Sequence, residues 1–308
     1  MPTLAQTIKN SQNQFRPGHT ACAGCAFPGI IRTAMAASEL PLVVSNATGC
    51  LEVTSTIYPQ SAWGTRYIHS AFENAAATIS GIESSYRYLR KTGKLDKEFN
   101  FLAVGGDGGS YDIGLQSLSG AMERGHRFVY LCYDNNAYMN TGGQKSSATP
   151  FGASTTTEPS SKIDYGKESP RKSFLKICIA HGIKYAAQAS AHDLPDLFQK
   201  AQKAFAVDGP SVLLVLSPCI TLWKFPEGQS IKIARLAVET RFWALYEFED
   251  GKYTINYVPP KYTPVEEFLK TQGRFKHLFN NSYGPEIISQ IQQRTDLRWE
   301  KLLQKAGK

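Results

Sequence analysis

No long apolar run occurs in this sequence. None of its 308 residues lies in a stretch approaching the roughly 18 apolar residues of a membrane span, so no membrane partner is expected. Residues 1–20 are polar and lack the apolar segment of a secretory signal; the expected compartment is the cytoplasm. There is no internal repeat, no recognisable nucleic-acid-binding motif and no dense Lys/Arg stripe with interleaved aromatics. That sets nucleic acid aside as a partner. Neither G-x-G-x-x-G nor a P-loop Gly-Lys-Ser/Thr is present, which excludes the two commonest glycine-rich phosphate loops. Six cysteines in a long, unexported chain do not form a disulfide framework; they point to metal ligation or inert burial.

What is present is an ordinary globular composition, 42% hydrophobic and 19% charged. The length suits one large α/β domain or two small ones. The formal charge is +8, and much of the excess lies between Lys224 and Lys308. Such an excess is either a solvated surface or a docking face for an acidic partner or an anionic cofactor.

Four cysteines stand apart from the rest. Cys22 and Cys25 form a C-x2-C pair, Cys50 ends Ala-Thr-Gly-Cys50, and Cys219 ends Ser-Pro-Cys219. Two residues between thiolates let one loop bind a centre twice. A structural zinc usually pairs two such knuckles, and here the second is missing. That favours a 4Fe–4S cluster while leaving zinc open. Cys132 and Cys178 sit in apolar patterns and read as core.

The periodicity gives an arm over 1–20, a helix from Phe27 to about Leu40, and a short strand at 41–45. A small-residue helix follows at 70–90. A strand at Phe99–Val104 breaks into Gly105-Gly106-Asp107-Gly108-Gly109, then a helix runs to about Arg124, then a strand to Tyr133. Residues 140–170 are an aperiodic Gly/Ser/Thr/Pro loop, functional or disordered by its length. A helix and short strand at 171–190, a helix at 192–207 and a buried strand at 212–216 complete a parallel α/β pattern. Beyond 225 the chain turns aromatic and basic, with a hairpin near 245–257, and reads as a C-terminal extension.

Both motif loops lie at the C-terminal ends of strands, where open α/β sheets bind ligands. Glycines there let backbone N–H groups approach phosphate. Asp107 offers a hard oxygen for Mg²⁺. Asn135, 28 residues later at the end of the next strand, offers a second, with a backbone carbonyl nearby.

Gly-Asp-Gly followed by Asn at this distance is similar to the thiamine-diphosphate motif. Together with Cys22-Ala-Gly-Cys25, Asn46-Ala-Thr-Gly-Cys50 and Tyr138-Met-Asn-Thr-Gly-Gly-Gln144-Lys-Ser-Ser-Ala-Thr-Pro150, it resembles the β subunit of 2-oxoacid:ferredoxin oxidoreductases of the pyruvate synthase type. The resemblance covers roughly residues 15–225. It implies a thiamine-diphosphate-binding α/β fold of the PP type, a mostly parallel sheet flanked by helices. The organisation would be an arm (1–20), a cofactor- and cluster-binding domain (21–225) and an extension (226–308). Cys22, Cys25, Cys50 and Cys219 would ligate one 4Fe–4S cluster. Asp107, the Asn135 side chain and the Ala137 carbonyl would hold Mg²⁺. Thr48, Gly49, Gly106, Gly108 and Gly109 would line the diphosphate and thiazolium, with Thr48 and Asn140 facing the reacting centre.

The resemblance also implies an α subunit supplying the pyrimidine-side Glu, a ferredoxin-like γ or δ subunit, and ferredoxin as acceptor. Glu73 is read as a packing or interface residue, and His19 and His69 as structural histidines. The expected reaction is oxidative decarboxylation of a 2-oxoacid, pyruvate to acetyl-CoA and CO2. The alternatives are an oxalate oxidoreductase subunit without CoA, a non-redox thiamine enzyme subunit and a zinc-stabilised interaction protein.

Overall fold

The computed structural model describes residues 4–10 and 14–308. Residues 1–3 and 11–13 of the expected arm lie outside the described residues. The arm also contains a short helix, α1 (Leu4–Asn10).

Eight strands form one sheet in the order β2-β1-β3-β4-β6-β5-β7-β8. They are β1 (Leu42–Ala47), β2 (Arg66–Ser70), β3 (Asn100–Gly106), β4 (Phe128–Asp134), β5 (Tyr185–Ser190), β6 (Pro210–Leu216), β7 (Tyr246–Glu249) and β8 (Lys252–Ile255). The first six are parallel; β7 pairs antiparallel with β5, and β8 with β7. The helices are α2 (Phe27–Ala36), α3 (Cys50–Ser55), α4 (Ala75–Lys91), α5 (Leu115–Glu123), α6 (Phe174–Ile179), α7 (Leu194–Ala206), α8 (Ile220–Trp223), α9 (Ser230–Glu239), α10 (Val265–Leu269) and α11 (Gly284–Lys305). Among the described residues, no helix is long and apolar enough to cross a membrane.

The central strands are apolar on both faces, as strands covered by helices must be. Side chains alternate across the sheet. Leu102, Val104, Leu131, Val215 and Tyr133 pack with α2 and α7 in one core. Ala103, Tyr130, Cys132, Val212 and Leu214 enter the other, with α4, α5 and α6. Cys132 and Cys178 are fully buried there, as the sequence indicated.

After β1 the chain steps outward to β2, then crosses back to β3 on the other side of β1. This reversal opens a crevice at the carboxyl ends of β1 and β3, the place where such sheets bind ligands. Thr48, Asp107, Asn135 and Cys219 all follow strands at that edge.

Two segments read as peripheral or aperiodic are built into the frame. The long 135–173 loop is pinned over the edge: Ser147 N–H donates to Asp112 Oδ2 at 2.9 Å, and Thr149 Oγ1 to the Asn136 carbonyl at 2.6 Å. Residues 226–308 contribute β7 and β8 to the same sheet. Their Trp243, Phe268, Phe275 and Ile287 share a core with β4 and β6.

Candidate active site at the sheet edge

Asp107 ends the β3 loop and opens one turn of π-helix, Gly108–Asp112. Its carboxylate is buried. Oδ1 accepts the Asn135 N–H at 3.3 Å, and Oδ2 accepts from the Ser146 hydroxyl. Burial, then the charge of Asp134, pushes its pKa well above the usual carboxylate range. The Asn135 amide has one end 2.8 Å from the Ala137 carbonyl oxygen and 2.9 Å from Asp107 Oδ1. With Nδ2 at that position, it donates to both. With Oδ1 there, three oxygens converge with no proton between them, an arrangement a hard cation stabilises. The residues therefore fit a Mg²⁺ ion.

The glycines leave room that a side chain would fill. A Cβ on Gly108 would lie 2.2 Å from the Tyr138 ring, and one on Gly49 would lie 2.7 Å from the Tyr133 hydroxyl. Tyr138 closes over the loop and donates to the Gly108 carbonyl at 3.1 Å. The cleft that remains is lined by Thr48–Cys50, Gly106–Gly109, Asn135, Ala137 and Asn140. Its volume is about 20 Å³, room for about one water. Asn140 stands exposed at the rim.

Thr48 is held more tightly than its sequence context suggests. Its hydroxyl meets His69 Nε2 at 2.7 Å, and His69 Nδ1 lies 3.6 Å from Glu52 Oε1. The register that pairs Asn46 with His69 and Ala47 with Ser70 makes this contact. The histidine read as structural therefore touches a cleft residue. His19 stacks on Phe15 with centroids 5.6 Å apart, and Glu73 is half-buried ahead of α4.

The four cysteines come together beside this cleft as free thiols, Cys22 exposed and the other three half-buried. Burial pushes Cys25 and Cys50 up to about 12, and the neighbouring thiols add to the rise. Cys219 rises for the same reasons. Opposing this, the N–H groups of Phe27 and Ala26 face Cys25, and those of Leu222 and Thr221 face Cys219. The thiols share one another's fields without closing on a point. Among the described residues, no three His, Cys, Asp or Glu side chains lie close enough together to hold a single metal ion. The C-x2-C loop is clamped from behind: Gly24 (φ +76°) lies against the Glu227 carbonyl, and the Ser230 hydroxyl donates to the Gly24 carbonyl.

Three residues behind the site were missed in the sequence. Asp134, fully buried, accepts from Tyr111 at 2.6 Å, from the Asn136 amide at 2.6 Å and from Arg171. This network sets the Asn135–Ala137 turn, where Asn136 takes φ +68°. Arg274 is buried over the Trp223 ring at 3.9 Å, with Nη1 donating to Asn136 Oδ1 at 3.1 Å. Trp223 in turn donates to the Asn135 carbonyl at 2.9 Å. No sequence signal marks these three; Arg171 lies 37 residues from Asp134, Asn135 88 from Trp223 and Asn136 138 from Arg274.

Comparison with known proteins now bears on the fold and the cleft together. Residues 47–215 match the family model "Thiamine pyrophosphate enzyme, C-terminal TPP binding domain". The chain is 47% identical to pyruvate synthase subunit PorB of Thermotoga maritima, over 97% of this chain and 94% of that protein. This chain belongs to the PorB family of 2-oxoacid:ferredoxin oxidoreductase subunits. Members need not share a substrate. Ketoisovalerate oxidoreductase subunit VorB of Pyrococcus furiosus is 42% identical, over 94% of this chain and 93% of that one. A solved 2-oxoglutarate:ferredoxin oxidoreductase from Magnetococcus marinus, with 2-oxoglutarate, coenzyme A and succinyl-CoA bound, shares the fold at TM-score 0.57. It is 20% identical and the match covers 73% of this chain and 80% of that one. The thiamine-pyrophosphate-binding role and the mostly parallel sheet expected from the motifs are thereby established.

Proposed function

We propose that this chain is the thiamine-diphosphate-binding subunit of a pyruvate synthase. With its partners it decarboxylates pyruvate oxidatively to acetyl-CoA and CO2 and passes the electrons to ferredoxin. The observation that carries this reading is the meeting, on one sheet edge, of the Asp107–Asn135–Ala137 oxygens with four cysteines. A carboligase or non-redox decarboxylase needs only the first set, and a zinc-stabilised protein only the second. Identity of 47% to a pyruvate synthase subunit favours pyruvate over oxalate.

Asp107, Asn135 and the Ala137 carbonyl would hold Mg²⁺, and Gly106, Gly108 and Gly109 would present backbone to the diphosphate. Thiamine diphosphate, when bound, supplies the nucleophilic carbon that attacks the 2-oxo group. Thr48, its hydroxyl fixed by His69, and Asn140 at the rim would orient the reacting carbonyl. A 4Fe–4S cluster on Cys22, Cys25, Cys50 and Cys219 would take electrons one at a time. A cluster spans cysteines that do not close on a single point, because each thiolate binds its own iron. Thr48-Gly49-Cys50 would serve both groups, which keeps the electron path short.

The cleft is shallow, so a second wall is required. We assign it to an α subunit that brings the carboxylate for the pyrimidine. A ferredoxin-like subunit would relay electrons to ferredoxin. The test is anaerobic assay of the assembled complex with pyruvate, ketoisovalerate and oxalate, with and without CoA, following ferredoxin reduction. Pyruvate-dependent, CoA-dependent reduction is expected. Reduction with oxalate alone, independent of CoA, would overturn the substrate assignment.

A further inference from the structure

The basic excess of the C-terminal third converges on a cavity apart from the Asp107 cleft. The cavity, about 130 Å³, lies between α6, α11 and the chain entering β7. It shares no lining residue with the Asp107 cleft.

Its floor is apolar and aromatic: Phe174, Leu214, Trp243 and Tyr246. The floor's polar groups are satisfied inward. Trp243 Nε1 donates to the Ala189 carbonyl at 2.8 Å, and Gln188 Nε2 to the Ala244 carbonyl at 2.9 Å. Arg171 covers one face of the Trp243 ring at 4.7 Å, and Tyr246 is the half-buried ring of the floor. Arg171 and Lys172 also line it, but their charges are met by Asp134 and Asp112.

The rim is different. Lys176, Arg241, Arg298, Lys301 and Lys305 surround the mouth, and no Asp or Glu lines the cavity. None of these five has a carboxylate within ion-pair distance among the described residues. Arg241 Nε is buried without an acceptor. Lys176 is held below the usual lysine value, first by burial and then by Lys305, Lys301 and Arg298. Like charges gathered without a counter-charge repel one another, and a concave wall of one sign concentrates an anion of the other. Aromatic faces beneath cations suit a ligand that is flat at one end and anionic at the other. The volume compares with the roughly 150 Å³ cavity that accepts a benzene-sized ring, and the phosphates would sit at the open mouth.

We propose that this cavity binds a phosphorylated small molecule of the nucleotide class, its ring on the Trp243–Tyr246 floor and its phosphates against Arg298, Lys301 and Lys305. The test is calorimetric titration of the assembled, cofactor-loaded complex with ADP, inorganic phosphate and adenosine. ADP is expected to bind at least about tenfold tighter than phosphate, because ring and charge both contribute. The paired substitution Arg298→Gln, Lys301→Gln is expected to weaken ADP at least about tenfold, with the circular-dichroism spectrum and melting temperature unchanged. Absence of ADP binding, or ADP binding equal in the variant, overturns the site. Phosphate binding as tightly as ADP overturns the nucleotide class and assigns a free-anion site instead.

Discussion

Asp107 directly follows β3 and Asp134 ends the neighbouring β4; both are buried, and their surroundings treat them in opposite ways. Asp134 is met by Arg171, Tyr111 and Asn136. Asp107 has no cation against it, only Ser146, one backbone N–H and, in one orientation, the Asn135 amide. Asp107 is thus the carboxylate that gains from a cation, and Asp134 the one that braces the turn. Asp107→Asn should weaken Mg²⁺–thiamine diphosphate binding at least about tenfold in a titration of the assembled apo-complex. The same change should leave the isolated chain's denaturation midpoint unchanged or higher, because a buried group whose ionisation burial penalises is replaced by a neutral amide. Asp134→Asn should do the reverse to stability. It strands the Arg171 charge and should cost about 3–5 kcal/mol in urea unfolding. Equal stability losses for the two variants would contradict this division of labour. Asp107 was legible in the sequence because glycines flank it in a fixed pattern. Asp134 was not, because its meaning lies in an arginine beyond the long loop.

Elements bring the four cysteines together, and their legibility differs for physical reasons. β3, β4 and β6 announce themselves by apolar runs, and the structure extends the first to Gly106 and the second to Asp134. β2 has exposed positions at most of its residues and no apolar alternation. Its register nevertheless places His69 on Thr48. The C-x2-C loop was visible, but its clamp by Glu227 and Ser230 needs a contact across about two hundred residues. Gly24→Ala tests the clamp. A Cβ there would lie 2.2 Å from the Glu227 carbonyl at a φ of +76°, so the loop must shift. Iron content per chain, measured anaerobically, should fall well below that of the parent, while the melting temperature changes little. Full iron content would contradict a rigid cluster loop. Arg274, on the turn before α11, buttresses the site from the other side. Arg274→Met should lower stability by about 2–3 kcal/mol, from lost charged hydrogen bonds to Asn136 and Gln272.

At the scale of the whole molecule, the parallel sheet gathers at one edge what the sequence spreads over about two hundred residues. The crevice between β1 and β3 follows from strand order. Both cofactor motifs were readable because each sits at a strand end, and strand ends in such sheets share that edge. The C-terminal third was harder to read. Its short antiparallel strands and single long helix carry weak periodicity, and its role as the far wall of a basic cavity depends on packing against α6. The central claim is that the cysteine centre and the thiamine site form one electron-transferring unit within this chain. Cys50→Ala in the assembled complex tests it most directly, read as pyruvate-dependent ferredoxin reduction under anaerobic conditions. Ferredoxin reduction is expected to be lost while thiamine diphosphate still binds. Reduction at the parent rate would contradict the claim.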